Sequence, residues 1–482
     1  MKRMSLKTLF AFSIFGLWIM PLLATSTPEL VWEIPFLKPG WGNAIGVDPS
    51  GNLIIAGHTN GKIGETYYGG DDVFIAKYDA EGNPLWLKQF GTASDDVGKH
   101  LAVDSDGNTY VTGSTKGDLG SANLGGEDMF LAKFSPEGEQ LWIRQFGTTT
   151  ADIGLHVSLK ISDYCYVAGS TKGDLGVASG TRYNAFVMKY DTNGNLLETI
   201  QPYGSTVTYK NPIGFCLDLT GNIYMVGDPG FLAKSSPSGE KAWETALDNH
   251  FSAPRGVDVE DNGEILVTGW TGSYVAMLDK HDTEGNRLWY KSFIRNGWSC
   301  PKVVIPFKDG SGDILIAGCQ GANGAHCDGF MYKYSGTGVN QWIVQNNPNY
   351  CGNAAMMDAN GDCYLTGGNG DGEGFLLKFH AASTSTGIDY KCSCPKMVVI
   401  HQNYPNPFNP STTIKYNLLA PGNVSLKIYN LSGQQVSILS EGFQSAGEKA
   451  FTWVADGLPA GLYFYKLIAN GFSETRKLIL QK

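Results

Sequence analysis

One short unit recurs along this chain and limits what it can fold into more than any other feature. Leu101 to Gly113 reads LAVDSDGNTYVTG: an alternating apolar run, a tight Asp/Gly/Asn turn, a second alternating run and a glycine. Apolarity with a period of two builds a half-buried strand, and Gly107 supplies the positive φ that a tight two-strand turn needs. The closing glycine returns at Gly57, Gly113, Gly169, Gly227, Gly269, Gly318 and Gly367, at intervals of 56, 56, 58, 42, 49 and 49 residues. Sheet units repeated at that period bury their faces against one another. The prediction is an all-β fold, a β-propeller rather than a sandwich.

A full unit carries four strands. In the second they fall near His100–Val103, Asn108–Thr112, Met129–Phe134 and Gln140–Phe146, and a tryptophan follows the turn before the fourth strand: Trp86, Trp142, Trp243, Trp289 and Trp342. A large ring at a fixed place in each sheet is most simply a wedge between neighbouring sheets; an aromatic binding stripe is the functional alternative. The seventh unit stops after its third strand, Gly374–Phe379, and a strand with the missing tryptophan, Leu30–Phe36 with Trp32, stands at the other end of the chain. The expectation is a seven-bladed β-propeller over residues 28–380, its last blade completed by residues 30–36, because an open ring would leave strand edges in water.

At 482 residues the chain exceeds one ordinary core, and its 62 glycines fall at turns between short apolar runs. A net charge of −10 without acidic runs argues against nucleic acid as a partner. Residues 1–26 read as a secretory signal peptide: Lys2, Arg3 and Lys7, an apolar run Leu9–Leu23, then Ala24-Thr25-Ser26. No cysteine follows that run to anchor a lipid, and no later stretch is long enough to cross a bilayer. Export makes the nine cysteines available for disulfides. Cys319 and Cys327, flanking a seven-residue loop, are the candidate pair. Cys165 and Cys363 hold equivalent positions in two units and read as buried thiols. Cys392 and Cys394 lack the further ligands a metal would need.

Gly107–Thr115 (GNTYVTGST), Asp128–Phe134 (DMFLAKF) and Gly138–Trp142 (GEQLW) resemble the SBBP class of bacterial β-propeller repeats. The likeness is close in units one to three and degraded in four to seven, and the third unit has Leu196-Leu197 where tryptophan is expected. It implies a propeller at the cell surface and brings no catalytic residues with it.

Residues 381–400 lose the strand rhythm and read as a linker. Residues 401–482 follow, with short alternating strands at Thr412–Leu418, Val424–Asn430, Gln435–Leu439, Lys449–Trp453, Leu462–Ala469 and Glu474–Leu480, the pattern of a small Ig-like β-sandwich. This segment resembles the type A sorting domain of the type IX secretion system of Bacteroidetes and related bacteria. The motifs are Tyr404-Pro405-Asn406-Pro407-Phe408-Asn409-Pro410, Asn430–Val436 with Gly433, Leu458–Tyr463 with Gly461 and Tyr463, and Arg476–Leu480 with Lys477. The resemblance implies the type IX machinery as partner, with Sec export followed by passage across the outer membrane to the surface or medium.

In a propeller the loops between blades and those between second and third strands share one face. The loops Thr59–Asp72, Thr115–Asp128 and Thr171–Asn184 are long only in the first three units. Asp96 and Asp152 lie in inter-blade loops, His100 and His156 four residues further on, and Trp41 and Trp298 in the corresponding loops elsewhere. These six are the candidate ligand site, for a glycan or a protein. The structural alternative is that Asp96 and Asp152 brace their own loops. Asp104–Asn108 resembles the start of a calcium loop but lacks the glutamate at the twelfth position, and a hairpin turn accounts for it. The run Asp79 to Trp86 resembles the tryptophan motif of quinone-dependent dehydrogenase propellers, mainly in its hairpin. No nucleophile elbow, zincin helix or phosphate loop occurs, so no catalytic residue, metal or cofactor is expected. The expected function is a secreted or cell-surface, non-enzymatic binding protein. The alternatives are a hydrolase or lyase using carboxylate and histidine at the channel mouth, and a surface-layer component.

Overall fold

The structure, a computed structural model, describes residues 28–36, 39–64, 66–161, 164–175, 183–201, 211–228, 230–247, 253–271, 275–293, 298–307, 310–321, 328–345, 350–358, 360–369, 372–380, 398–400, 402–418, 422–445, 447–469 and 472–481. The signal-peptide segment, the linker with Cys392 and Cys394, and Cys327 lie outside these residues, so the Cys319–Cys327 pairing does too.

Among the described residues the first part of the chain forms seven four-stranded antiparallel sheets, and the molecule is an all-β propeller. The first sheet runs Trp41–Val47, Leu53–Thr59, Asp72–Tyr78, Pro84–Phe90 from the axis outward; the second runs Asp96–Val103, Thr109–Thr115, Asp128–Phe134, Gln140–Phe146. Inner strands touch in cyclic order, and Tyr350–Met357 of the seventh sheet meets Trp41–Val47 of the first. The two middle strands of each sheet are apolar and buried on both faces, as in Asp128–Phe134, because every sheet is covered on both sides by its neighbours.

The outermost strand of the seventh sheet is Glu29–Phe36, paired antiparallel with Gly374–His380. Trp32 and Ile34 face inward and are 3% and 1% exposed. The contacts at the junction between seventh and first sheets repeat those between first and second. Lys77 Nζ donates to Pro136 O at 2.9 Å in the second sheet's outer turn, and Lys378 Nζ donates to Ala80 O at 3.4 Å in the first's. Nearer the axis a polar belt crosses four sheets. Lys302 donates to Asn353 Oδ1 at 2.5 Å, Asn353 Nδ2 to Gly42 O at 3.1 Å, and Asn43 Nδ2 to Gly98 O at 2.8 Å.

The recurring tryptophan is an inter-sheet latch. Trp86 lies over Gly138 in the outer turn of the next sheet, where a Cβ would stand 2.7 Å from the indole, and its Nε1 donates to Pro136 O at 2.9 Å. Trp142 covers Gly194 and Trp243 covers Gly285 in the same way. Those glycines are needed twice over, since Gly138 also has φ of 82°.

The chain's last part forms a three-stranded sheet (Val398–Ile400, Ser411–Leu418, Gly447–Val454) and a four-stranded one (Gln435–Gln444, Gly422–Asn430, Gly461–Ala469, Phe472–Leu480). They enclose one core that includes Tyr416, Leu426, Trp453, Tyr465 and Leu467. Val398–Ile400 is a strand where the sequence predicts linker. It pairs with Ser411–Leu418, a long-range contact that no local pattern announces.

Candidate ligand site in the central channel

Each inner strand carries a β-bulge at its third, fourth or fifth residue, and the bulged residues are Asn43, Lys99, Leu155, Ile213, Arg255, Lys302 and Asn353. A bulge places two consecutive residues toward one side of a strand. The seven positions therefore form a rim around the axis, near the end of the channel where the inter-blade loops lie. They surround a central cavity of about 340 Å³. That is the lower end of the volume range of small-molecule sites.

His100 and His156 stand next to the bulge in adjacent sheets, and their rings pack with centroids 4.0 Å apart. His100 Nδ1 accepts from Val157 N at 3.3 Å, which leaves its other ring nitrogen to carry the proton. Burial pushes His100 down to about 4 and His156 well below its ordinary value, so both are neutral at pH 7. Among the described residues the buried His156 Nδ1 has no hydrogen-bond partner.

Asp96 and Asp152 do not join them. Both are 0% exposed. Asp96 Oδ2 accepts from Thr92 N at 2.5 Å and Thr92 Oγ1 at 2.9 Å; Asp152 Oδ2 accepts from Thr148 N at 2.6 Å and Thr148 Oγ1 at 2.8 Å. These carboxylates brace their own loops, and among the described residues neither bonds to a histidine. Desolvation raises both, and the neighbouring Asp72 and Asp128 carboxylates add to the rise. Buried acids with no outlet to solvent cannot greet a ligand at the channel mouth, which corrects their place in the candidate site. Trp41 packs its ring over Gly368 of the seventh sheet, where a Cβ would be 2.2 Å away, and acts as a wedge. Trp298 begins the sixth inner strand, and its side chain lies outside what the structure describes.

The far end of the channel is bridged by an ion pair. In the first, second and fourth units an aspartate (Asp48, Asp104, Asp218) opens the inner turn and accepts its backbone N–H groups, as Asp104 does from Asp106 and Asn108 at 3.0 and 2.8 Å. In the first two units the buried lysine of the third strand pairs with that acid, Lys77 with Asp48 at 2.8 Å and Lys133 with Asp104 at 3.6 Å. The third unit has Lys160 at this position. Its third-strand lysine, Lys189, lies over the Tyr164 ring at 3.8 Å instead, and Lys160 reaches past the fourth sheet to Asp258 of the fifth at 2.9 Å.

The long loops of the first two sheets are clamped by glutamines of the outer strands. Gln89 Oε1 accepts from Ile63 and Gly64 N–H while its Nε2 donates to Asp72 at 2.7 Å; Gln145 repeats this with Leu119, Gly120 and Asp128. Lys99, Arg255 and Lys302 are absent from the candidate residues of the sequence. Counting back fourteen residues from the repeated glycine finds Lys99 before Gly113 and Arg255 before Gly269, which was the available signal; Lys302 stands sixteen before Gly318 and escapes that count.

Cys319 is buried on the sixth sheet directly opposite Cys300. Cys165 and Cys363 are buried free thiols.

The sorting motifs converge in space. Tyr404 is 82% exposed and bridges to Thr413, while Pro405 O accepts from Thr412 Oγ1 at 2.8 Å. Asn406 Oδ1 accepts from Ile479 N at 2.9 Å, its Nδ2 donates to Lys477 O at 3.4 Å, and Pro407 precedes Phe408, whose N–H bonds Ile479 O. The first motif is thus tied to the final strand. Gly433, with φ of 76°, closes the Asn430 turn, Gly461 pairs with Leu480, and Tyr463 OH donates to Pro459 O at 2.9 Å.

A model of the SBBP β-propeller repeat matches residues 85–120, and a model of a secretion-system C-terminal sorting domain matches residues 402–481. A regulatory protein, FlaEY, of Caulobacter vibrioides is 29% identical over 145 residues, which spans 27% of this chain and 15% of that protein. Among solved structures, the extracellular domain of BT3049 from B. thetaiotaomicron aligns over 92% of this chain and 56% of that one (13% identity, TM-score 0.44). Virginiamycin B lyase from Staphylococcus aureus with quinupristin aligns over 73% of this chain and 99% of that one (11% identity, TM-score 0.48). No helix of the described residues is long and apolar enough to cross a membrane. The chain carries an SBBP β-propeller repeat at residues 85–120 and a type IX C-terminal sorting domain at residues 402–481, and that sorting domain indicates secretion to the cell surface or outside.

Proposed function

We propose that this is a non-enzymatic binding protein, released or displayed outside the cell, whose ligand enters the central channel from the face of the inter-blade loops. Residues 1–26 would take it through Sec, residues 28–380 would form a seven-bladed binding domain, and residues 401–482 would form an Ig-like sorting domain. The observation that carries the reading is the cavity lined by the inner strands of all seven sheets, with rim residues of mixed polarity on a rigid ring. The hydrolase or lyase alternative needs carboxylate and histidine in contact, and Asp96 and Asp152 bond to threonines instead. The test is a glycan and peptide array probed with the secreted protein and with Ala354→Trp, which places an indole in the channel. A ligand bound by the first and lost by the second supports the reading. Undiminished binding by Ala354→Trp sinks it.

A further inference from the structure

Three of the six cysteines among the described residues gather at the junction of the sixth and seventh sheets: Cys300, Cys319 and Cys351. Cys300 and Cys319 are direct partners in the register of the sixth sheet's two innermost strands, Trp298–Pro306 and Ile314–Gly321. Residues paired in this way have Cα atoms about 4.5–5.5 Å apart and side chains on one face, inside the roughly 4.4–6.8 Å that a disulfide spans. The two side chains touch: the Cys319 thiol hydrogen-bonds the Cys300 sulfur, and Cys319 Sγ also lies 4.0 Å from Cys300 O. Their face is the one turned to the seventh sheet, because Leu315 and Ala317, at alternate positions before Cys319, pack with Leu365 and Leu377. Cys351 stands across that junction. Its strand passes so close to Gly329, the partner of Cys319 on the third strand, that a Cβ there would lie 3.1 Å from Tyr350 O and 3.6 Å from Gly352 N. Lys302 Nζ is 3.9 Å from Cys351 Sγ.

The thiols differ in access and in reactivity. Cys319 is 2% exposed, whereas Cys300 is partly exposed. The Cys319 hydrogen bond holds the Cys300 thiol below its ordinary range against burial and the nearby Cys351, and the Lys302 and Arg255 charges act in the same sense. Burial pushes the Cys363 thiol up to about 12 and raises Cys165 and Cys216 as well. Cys300 therefore combines thiolate character with access to solvent, and a second sulfur lies against it. The sorting domain indicates secretion to the cell surface or outside, where thiols meet oxidants.

We infer that Cys300 and Cys319 form a disulfide in the exported protein, a staple across the two innermost strands of the sixth sheet, made with Cys300 as the attacking thiol. The oxidant is itself a disulfide, of the class of oxidised glutathione. The Cys300 thiolate attacks one of its sulfurs, the oxidant's S–S bond breaks, and the departing sulfur leaves as a thiolate that takes up a proton. Cys319 then gives up its proton and attacks the Cys300 sulfur of the mixed disulfide, which releases the second half of the oxidant as a thiol. Two electrons and two protons pass from the cysteine pair to the oxidant, so one disulfide is made and one consumed. The bridge takes Cys319 away from the Cys319–Cys327 pairing expected from the sequence, and Cys351, on the neighbouring sheet, stays reduced. It does not depend on what the channel binds.

The test incubates the secreted protein with oxidised glutathione, alkylates the remaining thiols, and maps the digested peptides by mass spectrometry without reductant. The expected result is a peptide holding Cys300 joined to one holding Cys319, kept in Cys327→Ser and lost in Cys319→Ser. Reduction lowers the parent's melting temperature by roughly 2–5 °C, and Cys300→Ser melts alike with and without reductant. Mapping in the parent stands without the variants, and their melting curves verify that they fold. Cys300 and Cys319 both found alkylated after oxidised glutathione overturns the inference. So does a bridge from Cys319 to Cys327, or from either cysteine to Cys351. A parent that carries the bridge and melts the same after reduction overturns its role as a staple.

Discussion

At the scale of single residues, glycine does two different jobs in this fold, and substitution separates them. Gly51 has φ of 84° with no atom within 4 Å of a built Cβ, whereas Gly138 has φ of 82° and the Trp86 indole 2.7 Å from that Cβ. Gly51→Ala pays only for the left-handed backbone, about 1 kcal/mol. Gly138→Ala pays that and displaces a buried ring, so a loss of about 2–3 kcal/mol is expected. Denaturant midpoints of the two variants measure the difference, and equal losses contradict the latch. The stacked histidines make a second prediction. An unfolded chain protonates near the ordinary 6.5, but His100 in the folded protein resists until about 4. Their contribution is intact above 6.5 and is lost as pH falls toward 4. The raised Asp96 and Asp152 work in the other sense, since the folded state takes up their protons before the unfolded chain does. The His100→Asn/His156→Asn double variant isolates the imidazole share: its stability falls less steeply than the parent's between pH 6.5 and 4 when unfolding is followed by denaturant titration.

The element that matters most is the strand Glu29–Phe36. It supplies the outer edge of the seventh sheet from the opposite end of the chain, and through Trp32 it packs on Tyr364, ring centroids 6.1 Å apart. Deleting residues 28–37 exposes the Gly374–His380 edge and loosens the junction that Lys378 and Ala80 make with the first sheet. The expected outcome is a large fall in melting temperature of the whole ring, read by circular dichroism. A truncated protein that melts with the parent refutes closure. Much of this was legible beforehand, because a unit lacking its tryptophan strand and a tryptophan strand lacking its unit are visible in one dimension. The belt from Lys302 through Asn353 and Asn43 to Gly98 was not, since its links span 51, 311 and 55 residues and none of its members belongs to a motif.

For the molecule as a whole, the propeller and the sorting domain occupy separate regions of the chain. Deleting residues 401–482 is expected to trap the propeller in the periplasm while leaving its fold intact, scored by fractionation and by protease resistance of the trapped protein. Equal amounts in the medium with and without the deletion refute a sorting role. The tail's motifs were readable because their prolines and glycines act locally, and the fold then ties Asn406 to Lys477 and Ile479 of the final strand.

The sequence alone determined the architecture. Strand alternation, turn glycines and a tryptophan repeated in every unit but the third are short-range signals, and copying them along the chain leaves little freedom beyond stacking the copies. Only the tertiary structure decided the channel. Whether Lys99 faces solvent or the axis depends on a β-bulge that shifts strand register, and charges from the second, fifth and sixth sheets become neighbours only when the ring closes. The same closure buried Asp96 and Asp152, because a residue at a blade junction loses its water to the neighbouring sheet.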